Sequence, residues 1–231
     1  MSGYRRYAVY LLPEGGLARF GAAWLGWDAG AGRRVAHPEI GGLPRPVEEI
    51  TATPRKYGLH ATIKPPFRLA EGSSPETLEA DLAALCAGLA PVRLEGLELA
   101  GLGGFLALVP RGPVAALEAL AARAVTGLDR HRAPLTQAET NRRRDGKRLS
   151  AVQEALLRDW GYPYVLSEFR CHITLTGRLT RAEAGAVQAA LAPHLAPLLP
   201  APCVIDSLCL MGEDAAGMFH LIRRFALTGV G

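Results

Sequence analysis

Two stretches of the chain alternate apolar and polar side chains with the two-residue period of a β-strand. In residues 168–179, Arg170, His172, Thr174 and Thr176 fall on one face, and Phe169, Cys171, Ile173 and Leu175 on the other. In residues 56–64, Lys56, His60, Thr62 and Lys64 share a face, opposed by Tyr57, Leu59, Ala61 and Ile63. Each stretch predicts a strand with one face for a core and one polar, reactive face. The earlier of the two runs into Pro65-Pro66, which stop sheet pairing and helix alike.

The rest of the pattern supplies the frame. Residues 7–12 predict a strand, and Leu17, Phe20, Trp24 and Leu25 follow at helical spacing. Residues 28–54, rich in Gly and Pro, predict a loop or surface arm, in which His37 before Pro38 is inert. Ser74 and Pro75 open a helix to about Leu89, residues 92–99 and 105–109 form a hairpin, and a second helix spans roughly 113–131. Ser150 or Leu149 starts a further helix that Gly161 and Pro163 end, and Thr180 caps one over residues 181–195. Residues 203–211 and 219–227 predict a last hairpin.

Set side by side, these segments repeat. His60 is followed by a helix, a strand and a hairpin partner that begins 45 residues on, at Phe105; His172 is followed by the same series, with Phe219 47 residues on. The chain is therefore expected to be a single bilobal α+β domain. Its half-repeats are 55–131 and 165–231, with an N-terminal strand and helix and a basic linker at 132–148. A pseudo-two-fold arrangement would turn both polar strand faces toward one cleft.

Composition narrows the function. At 231 residues the chain can bury a sizeable core, and its net charge of +4 favours a phosphate-bearing ligand without implying a nucleic-acid binder. Cys86, Cys171, Cys203 and Cys209 show no Cys-x-x-Cys spacing and read as reduced, buried small hydrophobes. No signal peptide and no apolar run of membrane-spanning length is evident, so the expectation is a soluble cytoplasmic protein without membrane partners. The basic residues 141–148 read first as a solvated loop, and more sharply as a phosphate-attracting rim to a nearby site.

Two histidines facing across a phosphorus can serve as general base and general acid, because an imidazole titrates near neutrality. Thr62 and Thr174 can donate hydrogen bonds to the non-bridging oxygens as negative charge gathers there. Which histidine is acid and which is base stays open. No clustered histidines and carboxylates suggest a metal site, and no cofactor is expected. The rival from another class is a non-catalytic binder of RNA ends or nucleotides, which the arginine run would suit.

The motifs His60-Ala61-Thr62-Ile63 and His172-Ile173-Thr174-Leu175 resemble the paired signature of the two-histidine (2H) phosphoesterases. The wording of residues 6–10, 57–67 and 160–179 resembles a branch of that superfamily associated with phosphonate metabolism. The resemblance implies a duplicated α+β fold of two antiparallel-sheet lobes, with helices outside and a central cleft. It implies metal-independent hydrolysis of a small phosphate ester, commonly a cyclic phosphodiester. A sugar cyclic phosphate of phosphonate breakdown is favoured, and nucleoside 2′,3′-cyclic phosphates or an RNA terminus are allowed. Carried onto this chain, His60, His172, Thr62 and Thr174 are catalytic. Strand alternation puts Lys64 on the face of His60 and Arg170 and Thr176 on that of His172, and these, with Tyr57 and Tyr164, are expected to bind substrate. One departure is Cys171, where an aromatic is expected; it bears on packing rather than chemistry.

Overall fold

The computed structural model describes residues 3–144 and 148–230. The chain opens with β1 (Arg6–Leu11), α1 (Gly15–Leu25), the short pair β2 (Trp27–Asp28) and β3 (Arg33–Arg34), α2 (Val47–Ile50) and α3 (Ala52–Arg55). The first half continues with β4 (Ala61–Phe67), α4 (Pro75–Ala87), β5 (Val92–Leu94), β6 (Gly96–Leu102), β7 (Phe105–Arg111) and α5 (Ala115–Gly127). Then come α6 (Gln137–Arg144), α7 (Ala151–Trp160), β8 (Ile173–Thr174), α8 (Arg181–Leu195), β9 (Cys203–Ile205), β10 (Ser207–Glu213) and β11 (Phe219–Ala226). Ser74, Ser150 and Thr180 cap α4, α7 and α8 with reciprocal bonds to Thr77, Gln153 and Glu183. Each such cap satisfies otherwise orphaned N–H groups and contributes about 1 kcal/mol.

The expected α+β class with antiparallel sheet and outer helices is what the chain forms. Seven strands lie in the order β11-β10-β1-β4-β8-β7-β6, with every pairing antiparallel. The order shows an exchange. The hairpin β6–β7, which follows the first His-x-Thr motif in the chain, pairs with β8 of the second. The hairpin β10–β11, which follows the second motif, reaches β4 through β1. The link across the middle is short, a single pair between Ala61 of β4 and Ile173 of β8.

Helices α4 and α5 cover one side of the β10–β1–β4 half, through Leu78, Leu82, Leu117 and Leu120 against Val9, Ile63 and Leu210. Helices α1 and α8 cover the β8–β7 half, through Trp24, Val187 and Leu191 against Leu106, Leu108 and Ile173. Trp24 and Trp27 are buried anchors whose indole N–H groups donate to the carbonyls of Leu175 and Phe219, at 2.8 and 2.9 Å. Cys171 is half-buried and packs against both of these cores, and burial pushes its thiol up to about 12. The four cysteines are all free thiols. Among the described residues no helix is long and apolar enough to cross a membrane.

Several expected elements are corrected. Residues 168–179 were expected to be one strand, yet only Ile173 and Thr174 pair as β8. Beyond them the backbone finds other partners: Leu175 donates to Leu106, Gly177 to Ile50 and Leu179 to Gly104. Residues 92–94 leave the expected hairpin and pair with residues 203–205 in a separate two-stranded sheet. The expected loop at 28–54 contains α2 and α3, and part of the basic linker forms α6. Asp145, Gly146 and Lys147 of that linker lie outside the described residues.

Candidate active site

The segment that delivers His60 is fixed before the strand begins. Arg55, at the end of α3, donates to the carbonyl oxygens of Leu25 and Glu48, at 2.9 and 2.5 Å. Gly58 then turns the chain with φ +71°, a conformation that L side chains rarely adopt; a Cβ there would stand 2.7 Å from that of Ala29. The turn aims the Gly58 carbonyl at the His60 ring, with Nδ1 at 2.9 Å. A carbonyl oxygen can only accept, so Nδ1 carries the proton and Nε2 keeps its lone pair. Thr62 Oγ1, at 3.1 Å from Nε2, then donates to it.

The His60 ring stacks on Tyr10, with centroids 4.0 Å apart and planes inclined by 28°. Burial lowers the His60 pKa from its ordinary 6.5 to about 4; the Gly58 hydrogen bond opposes this and the His172 charge adds to it. His60 is therefore neutral near pH 7 in the free protein.

His172 repeats the arrangement. Its Nδ1 lies 2.7 Å from the carbonyl oxygen of Arg170, again two residues upstream. The ring of Phe105, from β7, lies 5.8 Å away and tilted by 52°. Around the pair Ala61–Ile173, one further step of antiparallel register sets His60 opposite Thr174 and Thr62 opposite His172. Both motifs therefore meet on one face of the sheet, each histidine beside the other motif's threonine. The like-charge repulsion by which His172 lowers the His60 pKa is the electrostatic sign of that nearness.

The expected substrate-binding residues divide. The Tyr57 ring lies 5.6 Å from that of His60 and beside the site. Tyr164 stands edge-on to Tyr162 at 5.7 Å. Thr176 is buried and its hydroxyl is engaged in the fold, accepting from Leu106 N–H at 3.0 Å and donating to Gly177 O at 2.9 Å. That outcome follows from the strand ending at Thr174, where the alternation that put Thr176 beside His172 ceases. Arg170 is exposed, with its guanidinium on the carbonyls of Phe169 and Ser167 at 2.6 and 3.4 Å.

Lys64 does not share the face of His60. Tyr10 pairs with Thr62 but Val9 with Lys64, so β4 advances two residues while β1 advances one. That bulge inverts the alternation. Lys64 turns to α5 and the turn after it, where its ammonium donates to Val125 O at 2.9 Å and Asp129 Oδ1 at 3.1 Å.

Beyond its pairing with β8, β4 borders a cavity of about 550 Å³ that Lys56, Tyr57, Lys64, Arg6 and Arg143 help to line. Strand periodicity identifies neither arginine as a site residue. Arg143 belongs to the basic run that suggested a rim, and that run was the available signal. Among the described residues no group of three or more His, Cys, Asp or Glu side chains could hold a metal ion.

The chain resembles two curated relatives over nearly all its length. Ribose 1,5-bisphosphate phosphokinase PhnN of Janthinobacterium sp. (strain Marseille) is 40% identical over 235 residues, covering 98% of this chain and 51% of that protein. The protein of the same name from Laribacter hongkongensis (strain HLHK9) is 40% identical over 230 residues, covering 98% and 53%. The chain thus spans about half the length of the curated relatives it matches. Among solved structures it is similar to TT0787 of Thermus thermophilus, with 18% identity, a TM-score of 0.45 and coverage of 98% and 100%. It is also similar to E. coli LigT complexed with 3′-AMP, with 17% identity, a TM-score of 0.41 and coverage of 96% and 98%. A family model matches residues 62–220, and on that match the chain belongs to the family described as protein of unknown function DUF1045.

Proposed function

We propose that the chain is a metal-independent phosphodiesterase that hydrolyses a small cyclic phosphodiester by acid–base catalysis between His60 and His172. The observation that carries this reading is the duplicated histidine setting. Each imidazole is held through Nδ1 by the carbonyl two residues upstream, on neighbouring antiparallel segments. Packing alone does not need that repetition, whereas in-line displacement at phosphorus needs one group on each side of the reacting atom.

The proton inventory follows. His60, neutral by burial, takes a proton from the attacking water at Nε2. His172 protonates the departing ester oxygen. One P–O bond forms and one breaks, and solvent then resets the two imidazoles. Thr62, which donates to His60 Nε2 in the free protein, and Thr174 turn their hydroxyls to the non-bridging oxygens of the bound phosphate. Tyr57 and Tyr164 flank the substrate.

For the substrate, the relatives' name points to a phosphorylated ribose, which together with the resemblance to the phosphonate branch favours a sugar cyclic phosphate. The sequence contains no Gly-x-x-x-x-Gly-Lys-Ser/Thr loop, so the kinase in that name is not carried over to this chain.

The test is turnover of a panel containing a sugar cyclic phosphate, nucleoside 2′,3′-cyclic phosphates and RNA with a cyclic terminus. The expected result is hydrolysis of at least one member in the presence of EDTA, abolished by His60→Ala or His172→Ala. Tight binding across the panel with no turnover would replace the enzyme by a nucleotide-binding module.

A further inference from the structure

The cavity beside β4 carries more positive charge than two histidines and two threonines require. Eight cationic side chains line it against two carboxylates, Glu139 and Glu213. Both carboxylates are already matched. Glu213 takes Arg6 through two bonds of 2.5 and 2.6 Å, and Glu139 takes Arg68 through two of 3.1 and 3.0 Å. Lys64 and Arg132 share Asp129.

Arg143 differs from these. Among the described residues no carboxylate lies within ion-pair range of it. Its guanidinium sits over the Tyr162 ring at 4.7 Å and makes one long hydrogen bond, 3.4 Å, to Pro66 O. Burial lowers its pKa, yet an arginine stays charged at any working pH. A half-buried guanidinium whose contacts among the described residues are one long hydrogen bond and one ring keeps donors to spare for an anion.

The cavity and the histidines share a wall. Tyr57 lines the cavity and lies 5.6 Å from His60, centroid to centroid. Tyr10 stacks on His60 and feels the charge of Arg6; its hydroxyl is the buried side-chain polar atom without a hydrogen-bond partner among the described residues.

We propose that this cavity is a second anion subsite, centred on Arg143, for a phosphate monoester carried by the molecule whose cyclic diester is cleaved at the histidines. The proposal rests on the hydrolytic reading of His60 and His172 and narrows its substrate class to cyclic phosphodiesters bearing a second phosphate. A guanidinium stacked on a ring presents a flat pair of donors to two phosphate oxygens. A spectator phosphate held there supplies binding energy that positions the diester between the imidazoles.

The test compares adenosine 2′,3′-cyclic phosphate with its 5′-phosphorylated counterpart. In the parent protein the extra phosphate raises kcat/KM, and Arg143→Gln shrinks that preference roughly 10- to 100-fold, the scale of a charge-assisted hydrogen-bond pair. Arg143→Lys restores part of it. Equal kcat/KM for the two compounds in the parent, or a preference unaltered in Arg143→Gln, overturns the subsite.

If the parent turns over neither compound, the wider panel of cyclic phosphodiesters decides the hydrolytic reading, and binding decides the subsite separately. Calorimetry with inorganic pyrophosphate is run on the folded His60→Ala/His172→Ala protein. Binding that disappears when Arg143→Gln is added supports the subsite; no binding, or binding indifferent to Arg143→Gln, overturns it.

Discussion

Ala61 of β4 is paired with Ile173 of β8, and both side chains enter the same apolar cluster. In a strand the neighbours of an inward residue point outward. One buried pair therefore turns four polar groups to the opposite face, with His60 and Thr62 on one strand and His172 and Thr174 on the other. The exchange of hairpins holds this arrangement from both sides, because β7 grips β8 while β1, itself paired with β10, grips β4.

If the two imidazoles divide one proton transfer, removing either should be enough to stop it. His60→Ala and His172→Ala are each expected to lower kcat by roughly 10²–10⁴, the range for one positioned proton-transfer group. The double variant should lose little more, since groups that act as a unit are not additive. Steady-state kinetics on variants that keep the parent's circular dichroism check this; parental kcat in either single variant removes that histidine from the mechanism.

The low pKa of His60 sets a pH dependence with a definite sign. Its folded value of about 4 lies below the ordinary 6.5, so between these values the unfolded chain binds the proton that the folded protein refuses. Stability therefore falls as pH drops through this window, by up to about 3 kcal/mol at ~1.4 kcal/mol per unit. The groups facing His60 are Tyr10, Tyr57, Thr62 and His172. Urea unfolding of His60→Gln is compared with its parent, both carrying His172→Gln, so that only His60 differs. The gap in stability should narrow from pH 7 to pH 4 in favour of His60→Gln, and a constant gap would contradict a buried neutral imidazole. In the native enzyme, kcat/KM should fall on the acid side near pH 4, where His60 ceases to be a base.

Much of this site was legible because strands keep a two-residue period. His60, Thr62, His172 and Thr174 were found from it, and the caps Ser74, Ser150 and Thr180 were readable as local chemistry. What the alternation missed lies where it breaks. The bulge at Thr62–Lys64 arises from how β4 meets β1, a tertiary fact, and it moved Lys64 away from His60. Thr176 and Arg170 were placed by extending β8 beyond the two residues that have partners. Arg143 became a cavity residue only because α6 meets the end of β4, with Arg143 on Pro66 O, a tertiary contact that no local pattern encodes.

Gly58 links the backbone to the chemistry. Gly58→Ala would hold an L residue at φ +71° and press its Cβ on that of Ala29. Gly72→Ala is the control, since it has φ +80° with nothing within 4 Å. The control should lose about 1 kcal/mol of stability, the left-handed cost alone. Gly58→Ala should lose more and should also lower kcat, because the carbonyl that orients His60 Nδ1 moves. Equal stability loss and unchanged kcat in the two variants would detach that carbonyl from catalysis.

Chelation offers a check on the class of enzyme. Turnover is expected to persist after exhaustive treatment with EDTA. Loss of activity restored by a divalent ion would replace the two-histidine mechanism by a metal-assisted one.

Lys64 supplies a case where charge and stability point in different directions. Its side chain is 2% exposed, and burial lowers its pKa from 10.5 to about 8 although Asp129 opposes the change. Removing one partner of a buried ion pair normally strands the other. Here Asp129 keeps Arg132, which grips both its oxygens at 2.8 and 2.9 Å, so no carboxylate is abandoned. Lys64→Met fills nearly the same space without a charge to desolvate, and it orphans only the Val125 carbonyl near the end of α5. It should therefore stay within about 1 kcal/mol of the parent. Lys64→Ala instead leaves a void and should cost about 2–4 kcal/mol. Chemical denaturation of both variants separates the two cases. A loss in Lys64→Met as large as that in Lys64→Ala would mean that the ammonium itself, rather than the volume of its stem, holds α5 on β4.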